Sequence, residues 1–330
     1  WNVIGSTQDS TFRWKVPNEP TDHASIRVSQ NFEATSTKDL LYGSTKFHAL
    51  NFNSDGSKLI TANEGGYLIE WDMLSQRPSS PYDLPDISYP SRRMQPIGVD
   101  YIDIDKFAVS YFIGAKGAPI HTDYVAFFER STSDPYFSFN LPSGFNAKSM
   151  DVDSDMEYMV FVPGFGNTIL IYSTTDGSLV KELSFRAPVV DAIFYPRDDK
   201  MAVALIDGTI EIYDINNYAQ LDEYKFNRNP YLESISVSPN GQFLAINCKL
   251  PIQTSHVSNK AVTHVIDLNT KQKVRTYRGS ASPTIKAEFN PTSNALVLGN
   301  EEVPQIIVWD LAPQNNGLMN EISATNGSLT

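Results

Sequence analysis

The chain has 330 residues, of which 41% are hydrophobic, 12% aromatic and 19% charged. That composition supports a packed core and excludes a disordered polymer. The formal net charge of −12 argues against a broad nucleic-acid footprint and against adhesion to an anionic membrane surface, because both need clustered Lys and Arg. A transmembrane helix would need a run of about 18 apolar residues, and none is present. Cys248 is the single cysteine, so no intrachain disulfide forms. A reducing intracellular compartment, cytoplasmic or nuclear, is the expectation, with a secreted protein left open.

The elements read as copies of one unit. A partial copy opens the chain at Val3 to Val16 (VIGSTQDSTFRWKV). The clearest copy follows at Phe47 to Asp72: strand, polar turn, strand, Gly turn, strand, with apolar residues alternating along each run. Weaker copies run from Pro96 to Glu129 and from Ala147 to Ser173. Val190–Asp214 repeats the unit with Asp207-Gly208 in its second turn, Leu232–Asp267 repeats it around an inserted loop, and Thr284–Asp310 closes the series. A fourth strand follows most copies, as at Leu179–Phe185 and Lys273–Arg278. Residues 312–330 read as a polar tail or closing strand.

Each third strand ends in a bulky residue, usually followed by an acid: Trp14, Trp71, Phe128, Tyr172, Tyr213, Ile266 and Trp309. Four-stranded propeller blades repeat at about 40–45 residues, and longer separations mark loop insertions. These features resemble the WD40 family over residues 1–311. Trp71-Asp72 and Trp309-Asp310 match its Trp-Asp dipeptide, and Tyr213-Asp214 is a near match. Ser54-Asp55-Gly56 and Ser238-Pro239-Asn240-Gly241 resemble its first turn. The family's Gly-His pair is missing from every copy, so its Asp-His-Ser/Thr-Trp hydrogen-bonded set is expected to be incomplete throughout. The resemblance implies an all-β, seven-bladed WD40-type propeller. Seven third strands but only six first strands are found, so the first blade is expected to be incomplete, its inner strand lying upstream of Trp1.

Residues that could carry chemistry are sparse. Asp151-Val152-Asp153-Ser154-Asp155 resembles the start of a calcium loop, but Met156 stands where Gly is needed and Val162 where Glu is needed; it reads as a polar turn. His23, His48, His121, His256 and His264 show no metal-ligand spacing, and His264 is expected to pack on a strand. Gly164-Phe165-Gly166 and Gly43-Ser44-Thr45-Lys46 lack the patterns of nucleotide sites. Tyr277-Arg278-Gly279 lacks the paired arginines characteristic of phosphoinositide-binding propellers. Lys271, Lys273 and Arg275 alternate along a fourth strand and read mainly as edge protection. No catalytic residue, cofactor or metal is expected.

Two insertions stand out, Phe112–Asp123 and Lys249–Lys260, both between a second and a third strand. By resemblance to WD40 propellers, such loops share the top face with the segments entering the first strands, where Arg92 and Arg93 lie. The candidate partner-binding residues are therefore Arg92, Arg93, His121 and His256. The expected role is a protein-interaction scaffold, a subunit or domain of a larger assembly that binds proteins or peptide segments, acidic ones included. The alternative is a propeller enzyme or small-molecule binder at the central channel, which needs titratable groups converging there; the sequence displays no such cluster.

Overall fold

The computed structural model describes residues 25–27, 38–41, 47–63, 66–75, 77–84, 93–103, 105–114, 122–132, 134–197, 199–226, 232–249, 261–278, 284–292, 295–300, 305–310 and 321–323. The chain forms two compact units. In the smaller, Trp1–Phe32 with Pro313–Thr330, strand β1 (Ser25–Arg27) pairs antiparallel with β27 (Glu321–Ser323).

The larger unit, Glu33–Ala312, is built from antiparallel sheets and has no helix among the described residues. Its strands run in chain order. β2 (Lys38–Leu41) precedes the first full sheet. Blade 1 holds β3 (Phe47–Phe52), β4 (Lys58–Asn63), β5 (Tyr67–Asp72), and an outer edge broken into β6 (Arg77–Pro78) and β7 (Tyr82–Asp83). Blade 2 holds β8 (Arg93–Asp103), β9 (Lys106–Gly114), β10 (Thr122–Glu129) and β11 (Phe137–Asn140). Blade 3 holds β12 (Ala147–Val152), β13 (Tyr158–Pro163), β14 (Thr168–Ser173) and β15 (Leu179–Ser184). Blade 4 holds β16 (Val189–Phe194), β17 (Lys200–Leu205), β18 (Thr209–Asp214) and β19 (Gln220–Lys225). Blade 5 holds β20 (Leu232–Val237), β21 (Phe243–Lys249), β22 (Ala261–Asp267) and β23 (Gln272–Arg278). Blade 6 holds β24 (Thr284–Phe289), β25 (Ala295–Asn300) and β26 (Gln305–Asp310), with β2 as its outer strand.

The β-propeller arrangement is as read from the repeat; the blade count is not. The inner strands touch in one circuit, β3 to β8, β12, β16, β20, β24 and back to β3. Among the described residues there are six hydrophobic clusters, one for each pair of adjacent blades in that circuit. Among the described residues no seventh inner strand stands between β24 and β3, and seven blades are not confirmed. The six inner strands among the described residues match the count of first strands in the sequence, because an inner strand defines a place around the axis. Trp14, the extra third-strand signature, lies outside the described residues, as do Val3–Ser6 and Thr11–Val16. The last blade is completed by the earlier strand β2, with Leu40 opposite Ile306, so the two ends of the ring are locked into one sheet.

Two further contacts close the same seam. Asn290 Nδ2 donates to the Gly56 carbonyl at 2.7 Å, and Thr292 Oγ1 donates to the Asp55 carbonyl at 2.8 Å. Gly56 sits at φ +69°, and a Cβ there would lie 2.3 Å from Asn290 Oδ1, so the Ser-Asp-Gly turn needs glycine twice over.

All six inner strands carry a register shift at the same place: Phe47/Ala49, Pro96/Gly98, Ala147/Ser149, Val189/Asp191, Leu232/Ser234 and Thr284/Lys286. A β-bulge adds twist and re-aims the residues that follow it. It therefore sets the direction of the positions nearest the axis in every blade.

Candidate functional site

An inner strand has a second edge that no neighbouring strand of its own blade covers, and its backbone N–H groups there need acceptors. Polar side chains from the preceding blade provide them. Asp100 Oδ2 accepts the Val152 N–H at 2.8 Å, Asp151 Oδ2 accepts Phe194 N–H at 2.8 Å, and Asp191 Oδ2 accepts Ile235 N–H at 2.9 Å. Farther round, Ser234 Oγ accepts Ala287 N–H at 3.2 Å and Ser236 Oγ accepts Phe289 N–H at 2.9 Å. The blades are stitched in one direction around the axis.

This stitching concentrates charge. Asp100, Asp151 and Asp191 are all buried, and Lys286 Nζ lies 3.0 Å from Glu288 Oε2. Burial raises the proton affinity of all three aspartates and of Glu288 above the usual carboxylate range. Asp151 is pushed up to about 7, against the opposing charge of Lys286. Burial alone would lower the Lys286 ammonium, but Glu288, Asp151, Asp191 and Asp100 around it hold it raised. A cavity of about 120 Å³ opens here, lined by Asn51, Asp100, Asp151, Asp153, Arg197 and Glu288 among others.

The axial cluster is a correction to the sequence reading, which found no convergence of titratable groups. The polar position before the last residue of a first strand recurs as Asn51, Asp151, Ser236 and Glu288. Stacking the copies on that strand would have exposed it. The polar-turn reading of 151–155 is right only in its second half. Asp153 Oδ1 accepts the N–H groups of Glu157 and Tyr158 at 2.8 and 2.9 Å, with Met156 at φ +59°. Asp151 belongs to β12 instead.

The loop face has its own features. Loops between second and third strands carry Phe165 in blade 3, 95% exposed, and Ile206 in blade 4, 50% exposed. The insertions join the corresponding strands of blades 2 and 5, so the four loops belong to consecutive blades and leave the sheets at the same end. Arg93 opens β8 opposite Gly114, the last residue of β9, which places its backbone beside the first insertion. Its side chain, and all of Arg92, His121 and His256, lie outside the described residues. Beneath this face, Lys148 Nζ donates to the Val190 and Glu233 carbonyls, each at 3.1 Å. Arg186 reaches Asp207 at 2.7 Å and Glu211 at 3.4 Å.

Of the remaining expectations, His264 is half-buried on β22, its Nδ1 3.0 Å from Thr276 Oγ1 and its ring beside Phe226. Lys271 does not join the row on β23. It lies in the preceding turn and its Nζ is 2.5 Å from Asp222 Oδ1 of blade 4.

No helix among the described residues is long and apolar enough to cross a membrane. No protein-family model matches the chain, and no curated protein is similar to it at a significant level.

Proposed function

We propose that this chain is a protein-interaction scaffold of the WD40 type, part of a larger intracellular assembly, and that its role is binding rather than catalysis. Partner proteins or peptide segments dock on the face that carries the loops between second and third strands. The observation supporting this reading is Phe165, an almost fully exposed aromatic held out between two glycines on a rigid sheet, with Ile206 exposed on the adjacent blade. An exposed aromatic held in a loop is of the kind an interface uses as an anchor. The Arg93 backbone opens β8 opposite Gly114, and Arg92 precedes it in the sequence. A pair of arginines in an acidic protein favours an acidic segment of the partner.

The test is a double variant, Phe165→Ser with Ile206→Ser, and separately Arg92→Glu with Arg93→Glu. Each should keep the melting temperature and lose proteins that co-purify with the wild type, with photo-crosslinks from position 165 reporting direct contact. Full retention of partners by both variants would remove the reading. The axial cavity supports a second reading, a small-molecule site. Against it, most of the carboxylate oxygens there already accept hydrogen bonds from the ring itself.

A further inference from the structure

The axial carboxylates differ in how many oxygens are already committed. Asp100 uses both, accepting Tyr101 N–H at Oδ1 and Val152 N–H at Oδ2. Asp191 also uses both: Oδ1 accepts from Ala192 N–H and Ser149 Oγ, and Oδ2 accepts Ile235 N–H. Glu288 accepts from Ser236 Oγ at Oε1 and faces Lys286 at Oε2. Asp151 holds Phe194 N–H with Oδ2 alone, and Oδ1 receives no donor among the described residues. Asp151 also lines the axial cavity.

We propose that Asp151 is a proton-operated clasp at the axis: a proton held on its Oδ1 tightens the ring, and its loss loosens it. A neutral carboxyl still accepts the Phe194 N–H through Oδ2, so the stitch between blades 3 and 4 survives protonation. An ionised one adds a buried negative charge facing Asp100 from β8, Asp191 from β16 and Glu288 from β24. Lys286 of β24 is the opposing cation in that group, while Lys148 and Asp153 flank Asp151 along its own segment. Arg197 at the cavity rim donates to the Pro291 carbonyl.

The direction follows from linkage. Burial lifts Asp151 to about 7 in the folded ring, from an unfolded value of 3.8. The folded state then binds the extra proton between those values. Stability is fully present below about 4 and is lost as pH rises through about 7. Lys286, raised above its ordinary value, keeps its charge throughout that window.

The experiment is a pH titration of the intact protein, following the Asp151 side-chain carboxyl carbon by NMR alongside urea unfolding at each pH. The expected midpoint is near 7. The unfolding constant of the wild type should rise by up to about tenfold per pH unit between 5 and 6.5 through this group, and its contribution should level off above 8. Asp151→Asn, which keeps an oxygen for Phe194 N–H and carries no charge, should remove one proton's worth of that slope. A wild-type midpoint below 5, or an Asn variant with the full slope, overturns the proposal. Should that variant not fold, the carboxyl midpoint of the wild type decides alone.

Discussion

Trp71 shows how one side chain ties a blade to its neighbour. Its ring is buried among Phe47, Leu50 and Leu59 and against Val297 and Val308 of blade 6. Its Nε1 donates to Thr61 Oγ1 at 3.3 Å, which in turn donates to the Ile69 carbonyl at 3.2 Å. This Thr61–Trp71 link is one step of a hydrogen-bonded set expected to be incomplete in every copy. Truncating Trp71 to Ala removes both the packing and the polar link, and should cost about 3–5 kcal/mol in urea unfolding. A loss under about 1 kcal/mol would contradict the packing described. The side chain of Trp309 lies outside the described residues. At the same scale, Gly98 permits a close approach: a Cβ there would lie 2.5 Å from Ser110 Oγ and 2.8 Å from Met150 Cγ of the next blade.

At the scale of elements, the outer strands remain the exposed edges of the propeller. β15 and β19 are almost wholly solvent-facing, with Leu179, Val180 and Leu221 among their exposed residues. Interleaved Lys181, Glu182, Asp222, Glu223 and Lys225 discourage pairing with another chain, the usual protection for an open edge. β2 is the exception, because it closes the ring. Neighbouring strand residues point their N–H groups to opposite sides, so replacing both Asp39 and Leu40 with Pro must delete a ladder bond to β26. The melting temperature should fall by about 5–10 °C, on a scale of roughly 2–4 °C per kcal/mol for a domain of this size. An unchanged melting curve would mean that β2 does not close the ring.

For the whole molecule, two groups of carboxylates shape stability from opposite sides. Hydrogen bonds from Ser57, Ser178 and Lys271 hold Asp55, Asp176 and Asp222 below the ordinary range, and the Thr270 N–H does the same for Asp267. Their contributions are present above about pH 4 and are lost as pH falls through their lowered folded values. The axial carboxylates act in the reverse sense. Stability should therefore peak between about pH 4 and 5 and decline on either side, measured by urea unfolding at pH 3, 4.5 and 8. At pH 7 the net charge of −12 adds self-repulsion that salt screens. The melting temperature should thus rise between about 0.02 and 0.3 M NaCl, and a fall would show that ion pairs such as Lys58–Glu70 outweigh it.

Alternating apolar residues and short polar turns are local properties, so the sheet elements and their repetition were legible in the chain alone. Phe47–Phe52, Lys58–Asn63 and Tyr67–Asp72 announce themselves as strands because apolar pattern and turn chemistry act over a few residues. The number of blades depends on how the ends meet. A four-residue segment such as Lys38–Leu41 carries too little pattern to reveal that it pairs with Gln305–Asp310. The axial cluster is likewise a product of closure: Asp100, Asp151, Asp191 and Glu288 sit on four different blades, and only the ring brings their charges into one buried place. Burial then changes what these residues are, because a carboxylate that is ordinary in the unfolded chain becomes a group with raised proton affinity once water is excluded.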